Sequence, residues 1–263
     1  MSAVQPRDRI SRAIGAAAAR GDPALVAFLT AGYPDRGKFR QHLAAIAAGA
    51  DVVEIGVPFT DPMADGVTIQ RSSQGALKQG VSLRWILEEL AAGPVAGETP
   101  LLLMSYLNPL LALGYDVLAA AAVRASICGF IVPDLPYDES AELRAALDRH
   151  GLALVQMVSP VTTPERMRLV CGASQGFVYA VTMTGTTGRN VAVPDAVIDY
   201  LERVRALSPV PVCAGFGIRS RTQVERLRGH VAGVVVGSAL VEVLERGEDP
   251  AAWLATLRAP PGS

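Results

Sequence analysis

Apolar residues along this chain gather in short, dense runs, separated by longer stretches where apolar and charged positions recur with helical spacing. The runs cover residues 25–30, 52–57, 100–106, 128–132, 152–158, 176–181, 210–214 and 232–236. They are rich in Val, Ile and Leu and apolar at nearly every position. A strand buried on both faces needs that pattern, whereas a strand with one wet face would alternate. Between the runs the spacing predicts helices over 38–48, 83–92, 115–125, 137–150, from Thr163 onward, 194–207, 220–228 and from Ser238 onward. Gly49 reads as a helix stop, and Thr163 as a cap with Pro164 in the first helical position. A further helix over 7–20 precedes the first strand, and a last one covers 249–258. Strands alternating with helices give a parallel sheet. Eight such units in 263 residues, without a midway break in composition or a linker, predict a single-domain (β/α)8 barrel over 1–263. Residues 1–20 would cover its N-terminal mouth, and 259–263 would form a frayed tail.

One residue violates the apolar pattern. Glu54 stands inside the second run, between Val53 and Ile55. Burying an unpaired charge is costly, so this carboxyl must be paired, protonated or hydrated. The flanking residues argue against a wet edge strand and favour a functional group. Two more carboxylates follow the run, in Asp61-Pro62 and Asp65-Gly66. Turn chemistry alone accounts for Asp61. In a barrel of this class, catalytic groups gather at the C-terminal ends of the strands, where Asp65 stands.

Composition narrows the partners. Half the residues are hydrophobic and the formal net charge is −1, so neither nucleic acid nor an anionic membrane is expected to bind. No apolar run reaches the length of a membrane span, and the N-terminus, with Asp8 and several Arg, reads as neither signal nor anchor. Cys128, Cys171 and Cys213 form no CxxC pair, which fits a reducing cytoplasmic setting. His42, His150 and His230 fall in or beside helices and read as surface or packing residues. No cluster has metal-ligand spacing. Arg7, Arg9, Arg12 and Arg20 read as a solvated helix face.

Two further segments carry chemistry. Gly215-Phe-Gly217 follows the seventh run, and Gly237-Ser238 follows the eighth and opens a helix. Glycines admit a ligand close to the backbone, and a helix N-terminus offers free N–H groups to an anion. Loops after strands seven and eight are the usual phosphate site of such barrels, and no GxGxxG stands after the first strand to suggest a dinucleotide. Thr184-Gly-Thr-Thr-Gly-Arg-Asn190 after the sixth run is small, polar and glycine-rich. It suits a lid over a substrate as well as an ordinary surface loop.

Residues 54–66 read Glu-Ile-Gly-Val-Pro-Phe-Thr-Asp-Pro-Met-Ala-Asp-Gly. This closely resembles the signature of the tryptophan synthase alpha-subunit family at its second strand and following loop. Phe28-Leu-Thr-Ala-Gly-Tyr-Pro34, Tyr106-Leu-Asn-Pro109, Pro133-Asp-Leu-Pro136, Gly215-Phe-Gly-Ile218 and Gly237-Ser-Ala239 extend the resemblance from about residue 24 to about 245. The family usually has Pro after Asp-Gly where Val67 stands, and differs around Thr182-Met-Thr-Gly185.

The resemblance implies a lyase that splits indole-3-glycerol phosphate into indole and glyceraldehyde 3-phosphate in tryptophan biosynthesis, with no metal or organic cofactor. It implies Glu54 and Asp65 as the catalytic pair, assisted by Tyr179. It implies Phe28 and Tyr106 at the substrate, and Thr187, Gly188, Gly217, Gly237 and Ser238 around the phosphate. It also implies a pyridoxal-phosphate-dependent beta subunit as partner in an α2β2 complex, docked on the loops 58–70 and 184–193. Other readings stay open at this point. One is a sugar-phosphate isomerase or decarboxylase, which would often need a strand Lys that no run contains. Another is a non-catalytic partner protein. A third is a stand-alone lyase that releases free indole.

Overall fold

The computed structural model describes residues 4–182, 193–215 and 217–258. Its centre is a closed barrel of eight parallel strands in chain order. These are β1 (Ala24–Thr30), β2 (Val52–Gly56), β3 (Leu101–Met104), β4 (Ile127–Ile131), β5 (Ala153–Val158), β6 (Val178–Val181), β7 (Val212–Gly215) and β8 (Gly233–Val236). Closure comes from pairing β8 with β1, with Val26 opposite Val235.

Twelve α-helices surround it among the described residues: α1 (Pro6–Ala19), α2 (Phe39–Gly49), α3 (Val67–Lys78), α4 (Leu83–Ala91), α5 (Leu107–Leu113), α6 (Tyr115–Arg124), α7 (Ala141–Asp148), α8 (Pro164–Ala173), α9 (Asp195–Leu207), α10 (Arg221–Leu227), α11 (Ser238–Glu245) and α12 (Pro250–Ala255). No single helix among the described residues is long and apolar enough to cross a membrane.

The near-continuous apolar runs are explained by two cores, one on each side of the sheet. Leu25, Leu29, Val53, Ile55, Leu101 and Leu103 point outward and join the helices in the larger core. Val26, Val52, Leu102, Val155 and Cys213 point inward. The bottom of that inner core is closed by α1, whose Ile10 and Ile14 are fully buried. On the other side of α1, Arg12 and Arg20 are exposed, as expected of a solvated face, while Arg7 and Arg9 are half-buried. Arg7 pairs with Asp148 at 2.6 Å, and Arg20, just past the end of α1, reaches Asp51 at 2.8 Å from an exposed position.

Three local features differ from the expected pattern. Residues 67–78 form a helix, α3, where a loop to residue 70 was expected. Residues 107–113 form α5, where only a strand exit was expected. Gly49 is the last residue of α2, not a left-handed stop, and Ala50 leaves the helix in extended backbone. Its lack of a side chain serves packing, because a Cβ there would lie 3.2 Å from Ala251 Cα and from Leu254.

Candidate active site

Alternation along β2 turns Val52, Glu54 and Gly56 inward, opposite to Val53 and Ile55. Glu54 pairs in register with Phe28 of β1 and Leu102 of β3. It is 1% exposed, and its Oε2 has no hydrogen-bond partner among the described residues. Burial in this apolar interior raises its pKa to about 8, and the nearby charge of Asp65 adds to the rise. The carboxyl is therefore mainly protonated at neutral pH.

Asp65 lies on the loop between β2 and α3. The loop folds tightly, with the Met63 N–H on the Asp61 carbonyl and the Asp65 N–H on the Pro62 carbonyl. Tyr106, at the end of β3, holds it in place. The Tyr106 hydroxyl donates to Asp65 Oδ2 at 3.1 Å and accepts the Ala64 N–H at 2.9 Å. The Phe59 ring stacks on Tyr106 with centroids 5.0 Å apart. Burial raises Asp65 to about 6, while the Tyr106 bond acts to lower it. Asp65 is therefore mainly ionised at neutral pH. Asp61 is exposed and takes a 2.6 Å bond from the Thr60 hydroxyl, as a turn residue would.

Tyr179 enters the same space from β6. Its hydroxyl is pushed well above its ordinary range by burial and by the charges of Glu54 and Asp65, so the three groups share one electrostatic environment. Cys213, opposite Tyr179 in register, is likewise pushed up by burial and by Glu54. Two glycines make room for the rings. A Cβ on Gly215 would come within 2.6 Å of Tyr179, and one on Gly56 within 2.4 Å of Phe28. Gly215 therefore accommodates a side chain of the protein, not a ligand. Phe28 also borders Gly237, with its ring 3.9 Å from where a Cβ would stand, so it links the carboxylates to the end of β8.

Gly217 and Gly237-Ser238 follow β7 and β8, at the same end of the barrel. Gly217 has φ +66°, with no atom within 4 Å of a would-be Cβ. Gly237 is the N-cap of α11 and Ser238 its first residue, so the first N–H groups of that helix open toward the barrel mouth. Thr182 leaves β6 with its N–H and hydroxyl both on the Gly215 carbonyl, at 3.1 and 2.8 Å. Thr187, Gly188 and the expected lid lie outside the described residues.

Glu54, Asp65, Tyr179, Phe28 and Tyr106 thus converge on one mouth, faced by Gly217, Gly237 and Ser238. The hydrogen bond from Tyr106 to Asp65 was not readable from the sequence, nor was the proximity of Cys213 to Glu54. Both join residues of distant runs, and only strand parity could have placed Cys213 inside. The histidines stand apart from this mouth: His42 is on α2, His150 follows α7, and His230 Nδ1 lies 2.7 Å from Glu202. No group of three or more His, Cys, Asp or Glu among the described residues is arranged to hold a metal ion.

Comparison with known proteins gives concordant results. The family model described as tryptophan synthase alpha chain matches residues 14–259. The tryptophan synthase alpha chain of Nitratidesulfovibrio vulgaris (strain DP4) is 44% identical over 247 residues, covering 94% of this chain and 96% of the relative. That of Deinococcus radiodurans is 38% identical over 242 residues, covering 92% and 90%. Among solved structures, tryptophan synthase of Mycobacterium tuberculosis superposes with a TM-score of 0.87 at 37% identity, over 95% of this chain and 96% of that one. The alpha subunit from Legionella pneumophila gives 0.82 at 33% identity, over 95% of each chain.

Proposed function

The chain belongs to the tryptophan synthase alpha chain family, whose members cleave indole-3-glycerol phosphate, and from that premise we propose how its own residues carry the reaction. The reaction splits the bond between indole C3 and the first glycerol carbon, giving indole and glyceraldehyde 3-phosphate. Glu54 in its protonated form donates to indole C3, and the ring takes on positive charge shared with its nitrogen. Ionised Asp65 accepts a hydrogen bond from the ring N–H and stabilises that charge. The Glu54 carboxylate then takes the proton of the adjacent glycerol hydroxyl. The carbon–carbon bond breaks, its electron pair restores the indole ring, and the hydroxyl carbon becomes the aldehyde. Glu54 ends protonated, as it began.

The observation that carries this reading is the placement of two carboxyls in one apolar mouth, Glu54 buried with its Oε2 unpartnered among the described residues and Asp65 held by the Tyr106 hydroxyl, so that burial raises Glu54 to about 8 and Asp65 to about 6. An acid and an anion are thus both present at neutral pH. Tyr106 orients Asp65, Tyr179 stands against Glu54, and Phe28 lies beside the indole. The N–H groups at Gly217, Gly237 and Ser238 hold the phosphate. Binding energy at the phosphate orients the reacting end. The rival isomerase reading is weakened because none of the eight strands contains a lysine; Lys38 and Lys78 lie outside them.

The partner is a tryptophan synthase beta subunit in an α2β2 complex, docked on the catalytic face. Met63 and Val67, on the loop and first helical residue after Asp65, are 85% and 76% exposed, as apolar residues awaiting a partner would be. The three free, buried cysteines fit the cytoplasm.

The roles are tested by Glu54→Gln. It should fold and lose roughly 10²–10⁴-fold in kcat with little change in affinity for the substrate. A folded variant with near wild-type turnover would remove Glu54 from the proton transfers.

A further inference from the structure

Helix α11 carries two carboxylates one turn apart, and each is tied to segments from elsewhere in the barrel. Glu242 receives both arms of Arg219, Nη1 to Oε2 at 2.7 Å and Nη2 to Oε1 at 2.9 Å. It also receives the Thr68 hydroxyl at a longer 3.4 Å. Glu245 receives Arg71 from two nitrogens, the shorter at 2.8 Å, and the Tyr33 hydroxyl at 2.7 Å. Thr68 and Arg71 are themselves one turn apart on α3, so two edges of the same spacing meet. Gly75 allows this arrangement: a Cβ there would lie 2.5 Å from the Tyr33 ring, which rests against α3.

The topology gives these contacts their meaning. Arg219 stands two residues after Gly217. The N-terminus of α11 is Gly237-Ser238. The helix α3 begins directly after Asp65-Gly66. Glu242 therefore joins the loop after β7, the helix after β8 and the helix that continues the Asp65 loop. The Arg219 and Glu242 side chains are only 26% and 23% exposed. A two-pronged guanidinium–carboxylate contact is directional, and partial burial limits its screening by salt.

We infer that Glu242 is a positioning residue. It sets the separation of the two phosphate-binding loops and, through Thr68 and α3, transmits their occupancy to the loop that carries Asp65. This inference rests on the phosphate reading proposed above.

The test compares wild type, Glu242→Gln, Arg219→Lys and Gly237→Asp, with glycerol 3-phosphate as the probe because it carries the phosphate end of the substrate. Glu242→Gln should weaken glycerol 3-phosphate binding about tenfold, raise KM by a similar factor and lower kcat less. In wild type, the probe should slow hydrogen exchange over residues 61–71, and in Glu242→Gln it should not. The pH limbs of kcat should stay in place, because the surroundings of Glu54 are untouched. A residue that merely stabilised the fold would change none of these in folded protein. Wild-type affinity and wild-type protection in Glu242→Gln would overturn the inference. Should that variant not fold, Arg219→Lys keeps the charge, loses the two-pronged contact and reads the same quantities. Gly237→Asp separates the two levels. If it binds glycerol 3-phosphate as wild type does, the phosphate reading fails and the inference with it. If it loses binding while Glu242→Gln does not, the inference fails alone.

Discussion

Glu54 is a carboxyl that folding holds in its neutral form, and its cost depends on pH. Its folded pKa of about 8 lies above the ordinary 4.5. Its favourable linkage is fully present below the ordinary value and is lost as pH rises through 8. Asp65, raised to about 6, acts in the same direction over a lower window. Wild type should therefore lose stability between about pH 5 and 8 relative to Glu54→Gln, with a difference of roughly 2–4 kcal/mol by pH 9. Urea unfolding of both proteins across that range checks this, and parallel curves would contradict the raised pKa. The proposed roles require Glu54 protonated and Asp65 ionised. The profile of kcat/KM should be a bell with apparent limbs near 6 and 8, belonging to the coupled pair rather than to either group alone. Glu54 was legible in the sequence because a charge inside an apolar run has few bland explanations. The support that Tyr106 gives Asp65 was not, since a hydrogen bond across 41 positions leaves no local trace.

Among the elements, strands were legible because both of their faces are apolar. The helix α3 was not, and its buried face explains why: Ser72, Ser73 and Ala76 are small or polar, and no apolar stripe repeats. Ser72 is buried because its hydroxyl pairs with that of Thr30 at 2.6 Å, which ties α3 to the end of β1. The short α5 was hidden by Pro109, which a first helical turn tolerates but which reads as a loop in sequence. Val67, where the family usually has proline, is the first residue of α3, the position a helix most readily gives to proline. At Gly49, a stop signal and a packing contact look alike in sequence. The packing account predicts that Gly49→Ala costs about 1–2 kcal/mol by pressing on α12, and that this cost is non-additive with Leu254→Ala. Thermal unfolding of the two single variants and the double variant measures it. Strict additivity would return Gly49 to the role of a helix stop.

At the scale of the whole molecule, the barrel separates stability from chemistry. The N-terminal end is closed by α1 and its arginine pairs, while the C-terminal end gathers two carboxyls, three aromatic rings and the glycine loops. The eightfold alternation of runs and helical spacing made that division readable in the sequence. How the loops meet across the mouth was not readable, because their contacts depend on closure of the barrel. This mouth is proposed to cleave indole-3-glycerol phosphate and to do so for a beta subunit. Indole release by the purified chain, alone and with a beta subunit added, tests it most directly. The expected result is a weak rate alone that rises strongly with the partner and falls roughly 10²–10⁴-fold in Glu54→Gln under both conditions. A full rate alone, unchanged by the partner, would contradict the complex, and no indole under either condition would contradict the chemistry assigned to the mouth.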